Sequence, residues 1–272
     1  MPEYSYVLAK GAEAEYRLQI VNEVHGPDTR CFLQRAGIER GMRVADIGCG
    51  VGILSELISE FVGPTGSVVG VDASTAQIEQ AEDRAHRAGI NNVRYVTADA
   101  ASTGLEPSSF DMAYSRFLLM HVTDPFIVLT EMYSLLKPGG TLAVEDGDFT
   151  SPFCWPSDAS YEKCFEYYRR IGESRGADFK IGQNIYRLFL QAGLEDPQVR
   201  IVQPCIASGD AKRLPEWTLE ETADNLIESG IAERAEIDRI ISRLKELAED
   251  SSVLFGMARM TQAWGNKPFV RG

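Results

Sequence analysis

Three things are missing from this 272-residue chain: a Lys/Arg run of five or more, a Cys-x-x-Cys pair and a long apolar run. Each absence excludes a class. A phosphate backbone attracts clustered Lys/Arg and repels acid. With 27 basic against 40 acidic side chains, a formal net charge of −13, the chain is not built for DNA or RNA. The five cysteines, Cys31, Cys49, Cys154, Cys164 and Cys205, are odd in number and lack paired spacing, which argues against a disulfide framework or a structural zinc site. No stretch approaches the roughly 20 apolar residues of a bilayer span. Met1-Pro2-Glu3-Tyr4-Ser5-Tyr6 has neither the basic start nor the apolar core of a secretory leader, so the expected compartment is the cytoplasm. What is present is ordinary for a folded protein: 44% hydrophobic and 25% charged residues.

Strand-like and helix-like segments alternate through the first half. Arg43–Ile47 is a short apolar run, and Val51–Phe61 follows with apolar residues at helical spacing. Ser67–Asp72, Val93–Ala98, Phe110–Ser115 and Thr141–Asp146 read as further strands. Ser74–Ala88 reads as a helix closed by Gly89, and Asp124–Lys137 as another. Lys137-Pro138-Gly139-Gly140 suits a turn, Pro first and Gly second. This alternation predicts a mostly parallel sheet with helices on both faces. Beyond it, helices are expected over Ser157–Arg170, Gln183–Ala192 and Ala232–Glu249, with a capping box at Thr218–Glu221 opening a helix that ends at Gly230. Val199–Val202 and Leu254–Trp264 read as late strands.

The strongest local signal is Asp46-Ile47-Gly48-Cys49-Gly50-Val51-Gly52, where a strand ends, glycines alternate and a helix begins. Glycine permits positive φ and close approach of a ligand, and the helix start offers unpaired N–H groups. A dinucleotide fingerprint would need its third glycine at position 53, which is Ile53, so a nicotinamide dehydrogenase is disfavoured. Asp72 ends the second strand, 20 positions past Gly52, where a carboxylate can accept ribose hydroxyls. Asp99 follows the third strand. In an open parallel sheet, ligands bind at that edge.

With Val71-Asp72, Ala98-Asp99-Ala100, Phe110–Arg116 and Leu136–Gly140 in the same order, the chain resembles the class I S-adenosylmethionine-dependent methyltransferases. The likeness is closest to the small-molecule branch that includes ubiquinone/menaquinone-type enzymes, and covers roughly residues 40–147. It implies an α/β, Rossmann-like, mostly parallel seven-stranded sheet with an inserted helical cap. It also implies S-adenosylmethionine as cofactor. Asp46 and the backbone of Gly48, Cys49, Gly50 and Gly52 would hold its methionine part. Asp72 would bind the ribose, Ala73 would line the adenine, and Asp99 and Ala100 would meet the adenine edge. Ser115 and Arg116 would contact the amino acid end, although an ion pair at the core edge is an equal reading for Arg116.

Methyl transfer from a sulfonium mainly needs alignment and exclusion of water, and a base only where the nucleophile carries a proton. His121 after the fourth strand and Asp148 after the fifth are the catalytic candidates, with His25 behind them. Phe149, Phe153, Trp155, Tyr161, Phe165, Tyr167 and Tyr168 crowd a 20-residue window and suit either a flat, apolar acceptor or the burial of an inserted helix. Ser115-Arg116-Phe117-Leu118 lacks the Pro-Pro signature of DNA amino-methyltransferases and the paired glutamates of protein arginine methyltransferases. The expected reaction is methyl transfer to an O, N or C atom of a small, apolar or aromatic metabolite. The alternatives are an S-adenosylmethionine-binding enzyme of the same fold with a different reaction, and a non-catalytic binding protein. No metal site is expected.

No linker divides the chain, so it reads as a single catalytic domain over 1–272. Within it, 1–40 is a helical lid carrying Tyr4, Tyr6, Tyr16 and Arg17, and 41–150 is the cofactor-binding core. Residues 151–193 and 206–252 form the helical cap, and 194–205 and 253–266 are late strands completing the sheet. The amphipathic Ala232–Glu249 segment would cover the pocket or form a homo-oligomer contact.

Overall fold

The computed structural model describes residues 12–269. In chain order these form α1 (Ala12–Arg35), β1 (Arg43–Ile47), α2 (Ile53–Val62), β2 (Ser67–Asp72), α3 (Thr75–Ala88), β3 (Val93–Thr97), β4 (Phe110–Arg116), α4 (Pro125–Leu135) and β5 (Leu136–Asp148). Then come β6 (Phe153–Trp155), α5 (Ala159–Glu173), α6 (Ile185–Gln191), β7 (Gln198–Val202), β8 (Cys205–Ile206), α7 (Leu214–Glu228), α8 (Arg234–Glu249), β9 (Leu254–Gly256) and β10 (Arg259–Asn266). The chain divides into two compact units, each assembled from separated segments. The expected lid residues Tyr4 and Tyr6 lie outside the described residues.

The larger unit, residues 27–146, 181–201 and 261–269, is built on a seven-stranded sheet in the order β3-β2-β1-β4-β5-β10-β7. The pairs β1/β2, β1/β4, β2/β3 and β4/β5 are parallel. Strands β1 and β2 are apolar along almost their whole length because such strands are covered on both faces. Phe32, Leu33, Val44, Ile58, Val62, Val68, Met112 and Tyr114 form one buried cluster of this unit. Helix starts follow local chemistry. Ser74 caps α3 by accepting from Gln77 N, and Asp124 caps α4 by accepting from Phe126 N and Ile127 N, with Pro125 in the first turn. Gly89 ends α3 at φ 67°, as expected for a left-handed cap.

The smaller unit, residues 12–26, 147–180 and 202–260, packs α5, α7 and α8 with a three-stranded sheet in the order β6-β9-β8. Its core joins Tyr161, Phe165, Tyr167 and Ile171 of α5 to Leu219 and Leu226 of α7 and Ile237, Ile240 and Leu244 of α8. Four of the seven aromatics in the crowded window (Tyr161, Phe165, Tyr167 and Tyr168) are thus buried in the unit's interior, whereas Trp155 is 71% exposed. Phe149, Tyr168 and Phe179 form a trio of ring contacts. Tyr16 donates its hydroxyl to Asp210, and Arg17 pairs with Glu221 at 3.3 Å, so both residues are tied into this unit.

Three expectations are corrected. Lys137–Gly140 is not a turn between a helix and a strand. It lies inside β5 as a bulge, because Phe110 pairs with Leu136 and Met112 with Thr141, leaving the four residues between as slack. Gly139 still takes the positive φ of 81°, so the local chemistry was read correctly and its setting was not. Thr218 is not a cap: α7 starts four residues earlier, at Leu214, where Pro215 occupies the first turn. Leu254–Trp264 is two strands in two sheets, β9 with β6 and β8, and β10 with β5 and β7. Of the late strands, only β7 and β10 complete the large sheet.

Candidate active site

Strands β3, β2, β1 and β4 are adjacent and parallel, so their C-terminal ends share one edge of the sheet. Asp46, the glycine loop, Asp72, Asp99 and Ser115 all lie at those ends. The loop itself is built by backbone geometry. Gly48, Gly50 and Gly52 have φ of 75°, 55° and 80°, a left-handed run that L side chains rarely adopt. Gly48 N and Cys49 N both donate to Val71 O, which pins the loop to the end of β2. Gly52 is the N-cap of α2 and offers no side-chain cap, so the first turn keeps unpaired N–H groups.

Asp72 stabilises the same loop from β2. Its Oδ2 accepts from Gly50 N at 3.0 Å and its Oδ1 from Ser74 N at 2.9 Å. The carboxylate is oriented by both bonds, while burial pushes its pKa up. Asp46 is almost fully buried, and its Oδ2 accepts from the Ser55 hydroxyl on α2 at 2.6 Å. Burial raises its pKa to about 6, with Ser55 and the Arg116 charge opposing that rise and Asp72 adding to it. Asp99 is exposed. It folds back on its own loop, accepting from Ala101 N at 2.8 Å, and Thr103 further along is fixed by two bonds to Glu131 of α4.

The segment after β4 closes the edge. Ser115 is fully buried, and its hydroxyl has no hydrogen-bond partner among the described residues. Arg116 donates to Thr29 Oγ1 at 3.0 Å, and burial raises the pKa values of Glu145 and Asp46 while the Arg116 charge opposes that rise. The buried Glu145 accepts from Tyr114 at 2.7 Å and from Gln262 at 2.6 Å. Phe117 has φ 53°, a strained conformation for an aromatic residue, and a short 3₁₀ turn follows over Leu119–His121. Asp146, at the end of β5, accepts from Leu119 N at 2.8 Å and Met120 N at 3.3 Å and so fixes that turn. His121 is therefore carried on a braced turn in the larger unit.

Asp148 lies in the smaller unit. It is buried, accepts from Thr150 N and Oγ1 and pairs with Arg259 at 3.3 Å. His25 is also buried in that unit. Cys49, inside the glycine loop, is buried with its thiol pKa pushed well up by desolvation, so it is an unreactive thiol. No cluster of three or more His, Cys, Asp or Glu residues that could hold a metal occurs among the described residues.

The residues present fit an adenosyl amino acid. A Cβ built on Gly50 would find only Gln77 Oε1, at 3.2 Å, within 4 Å, so the loop's outer face is open there. The orphaned Ser115 hydroxyl and the buried Asp46 carboxylate supply polar atoms to the same edge. Sequence reasoning missed Ser55, Asp146 and Gln77. Ser55 and Gln77 sit in helix first turns, where position relative to the loop was the available signal. Asp146 was read only as part of an acidic strand end.

The comparisons agree with this geometry. The methyltransferase-domain family matches residues 38–193. The ubiquinone/menaquinone biosynthesis C-methyltransferase UbiE of Enterobacter sp. (strain 638) is 34% identical over 152 residues, which is 55% of this chain and 60% of that protein. UbiE of Escherichia coli O1:K1 is 34% identical over 151 residues, covering 59% of its length. The chain thus spans about three-fifths of the curated relatives it matches. Among solved structures, Haemonchus contortus phosphoethanolamine N-methyltransferase 2, in complex with phosphomonomethylethanolamine and S-adenosylhomocysteine, superposes with a TM-score of 0.57 at 23% identity, over 89% of this chain and 52% of that one. The YcgJ protein from Bacillus subtilis superposes with a TM-score of 0.62 at 20% identity, over 91% and 100%. The family match covers more than half of the sequence, and the chain belongs to the methyltransferase-domain family, among the class I S-adenosylmethionine-dependent methyltransferases.

Proposed function

We propose that this chain transfers a methyl group from S-adenosylmethionine to an O, N or C atom of a small, apolar or aromatic metabolite. The observation that carries the reading is the bond from Gly50 N to Asp72 Oδ2. It couples the left-handed loop to the carboxylate at the neighbouring strand end, the two features that a nucleoside-containing ligand needs side by side. In this reading Asp46 and the backbone of Gly48, Cys49, Gly50 and Gly52 hold the methionine portion. Asp72 takes the ribose hydroxyls, Ala73 lines the adenine, and Asp99 and Ala100 meet its edge. Ser115 and Arg116 close the amino acid end.

When bound, the cofactor supplies a methyl group already activated by a sulfonium. The chain has to align the acceptor, exclude water and, for an acceptor that carries a proton, remove it. His121 is the proposed base, because the Asp146 bonds hold its turn in place. Asp148 remains the second candidate. The net charge of −13 supports a small-molecule acceptor rather than a nucleic acid. The two units support the single-domain reading through connectivity: the chain passes between them five times, so neither is a continuous stretch of sequence.

The reading is tested by thermal shift and by product analysis. S-adenosylhomocysteine raises the melting temperature and NAD does not, and Asp72→Ala abolishes the shift. A panel of metabolites then releases S-adenosylhomocysteine with at least one acceptor, whose mass spectrum shows one added methyl group. A shift by NAD alone, or a shift retained in Asp72→Ala, would refute the site.

A further inference from the structure

One residue of the large sheet stands outside every role above. Tyr95 on β3 is the register partner of Gly70 on β2. Gly70 interrupts a strand of valines, Val68-Val69-Gly70-Val71, and a glycine inside a strand weakens it unless something needs its bare backbone. Unlike the loop glycines, Gly70 is not held at positive φ. Space explains it. A Cβ built on Gly70 would lie 2.6 and 2.8 Å from Cδ1 and Cε1 of Tyr95, and 3.0 Å from Cys49 Sγ. The Tyr95 ring therefore crosses β2 only because no side chain stands there.

The far end of the ring reaches the glycine loop. A Cβ on Gly52 would lie 2.5 Å from the Tyr95 hydroxyl oxygen and 3.0 Å from Cβ of Ala81 on α3. Three small residues, on β2, on the loop and on α3, thus form a slot that the phenol fills. The hydroxyl is out of solvent. Burial, then the Asp46 charge, keep the phenol protonated, and Ser55, the donor to Asp46, is among the groups acting on it. The tip of Tyr95 therefore sits against the structure that carries Asp46 and the loop.

We propose that Tyr95 is a positioning residue for the cofactor, a strut on β3 that sets the height of the Gly48–Gly52 loop above β2. The inference rests on the loop being the methyl-donor site. A ligand held by backbone N–H groups loses affinity when those groups move by about half an ångström, and the phenol in its slot backs the loop beside the bonds to Val71 O and Asp72. Mere core packing would predict a loss of stability without a ligand-specific effect.

The experiment is a double-mutant cycle read by calorimetric binding of S-adenosylhomocysteine to the full chain, alongside the melting temperature of each ligand-free variant. Gly70→Ala drives a methyl group into the ring and raises the dissociation constant by about tenfold or more. Tyr95→Leu weakens binding on its own, and in that background Gly70→Ala has a much smaller effect on the dissociation constant, because the ring, the nearer of its two neighbours, is gone and only Cys49 Sγ remains. Tyr95→Phe, the mildest change, keeps the ring and removes the atom nearest Gly52, and raises the dissociation constant by about threefold. Wild-type affinity in folded Gly70→Ala, or an equal Gly70→Ala effect with and without the Tyr95 ring, overturns the proposal. So does a fall in melting temperature across the series with affinity unchanged. Failure of the wild-type chain to bind S-adenosylhomocysteine instead overturns the cofactor reading itself, and the proposal with it.

Discussion

The side chain of Leu118 fills the space in which a Cβ on Gly48 would stand, with its Cδ1 2.9 Å and its Cβ 3.2 Å from that point. The loop after β1 and the segment after β4 are therefore fitted to each other. Each is braced separately: the loop by Val71 O and Asp72, and the segment by Asp146. The sheet edge is a pair of interlocked turns whose geometry is set before any ligand arrives, which is what a site relying on alignment requires.

Gly48→Ala is expected to damage both turns. Alanine at φ 75° costs about 1–2 kcal/mol in backbone strain, and its methyl group also displaces Leu118. The melting temperature falls and S-adenosylhomocysteine binding weakens by about tenfold or more. Adding Leu118→Ala removes the two methyl contacts but keeps the Cβ at 3.2 Å and leaves the strain, so binding recovers only in part. Calorimetric titration of the two variants checks this.

Asp46 ties stability to pH. Its folded pKa of about 6 lies above the ordinary value of 3.8, so the native state favours the protonated form. The sign is fixed by that order. The favourable contribution is complete below pH 3.8, is lost as pH rises toward 6, and above that the ionised, buried carboxylate is a net cost. The difference of about two pKa units corresponds to a cost on the order of 3 kcal/mol. Asp46→Asn keeps an acceptor for Ser55 and removes the charge. It is expected to melt higher than wild type above pH 6 in the ligand-free state, and to show a smaller S-adenosylhomocysteine shift. A variant less stable than wild type at pH 8 would contradict this.

Much of this arrangement was legible in the sequence, for reasons that particular residues make plain. Ser67–Asp72 was bounded without error because an apolar run between a turn and an acidic end leaves no other reading. The left-handed loop was legible because only glycine takes those φ values without strain. What failed depended on partners far away in sequence. Lys137–Gly140 has the residues of a turn, yet its bulge exists because Phe110 and Met112 pair on either side of it. The break between β9 and β10 is set by which sheet each end joins. Asp146 looked like one more hydrated acid, and its task is visible only once the Leu119 and Met120 amides stand beside it. Gly70 was read as part of a buried strand, and its reason lies 25 positions later in Tyr95.

Removing the Asp146 carboxylate is expected to loosen the turn that carries His121. Asp146→Ala leaves two buried N–H groups without their acceptor, at a cost of about 1–3 kcal/mol for each. Amide exchange at Leu119 and Met120 accelerates more than at β1 or β2, since the latter keep their sheet bonds. Asp146→Asn retains a carbonyl acceptor and recovers most of the protection. Uniform acceleration across the sheet would mean that Asp146 supports the whole fold rather than this turn.

His121 and Asp148 can be separated as bases because their surroundings differ. Asp148 is engaged by Arg259 and by both polar groups of Thr150, so Asp148→Asn is expected to lower the melting temperature of the chain while leaving the rate of a proton-releasing acceptor within about threefold of wild type. His121→Gln is expected to do the reverse. The turn over Leu119–His121 is held by backbone bonds to Asp146, so stability and S-adenosylhomocysteine affinity stay near wild type, while kcat falls by about 10²–10⁴-fold. If Asp148→Asn instead removes the rate and His121→Gln keeps it, the base lies in the smaller unit. If both keep it, the attacked atom carries no proton that must leave, and alignment alone performs the transfer.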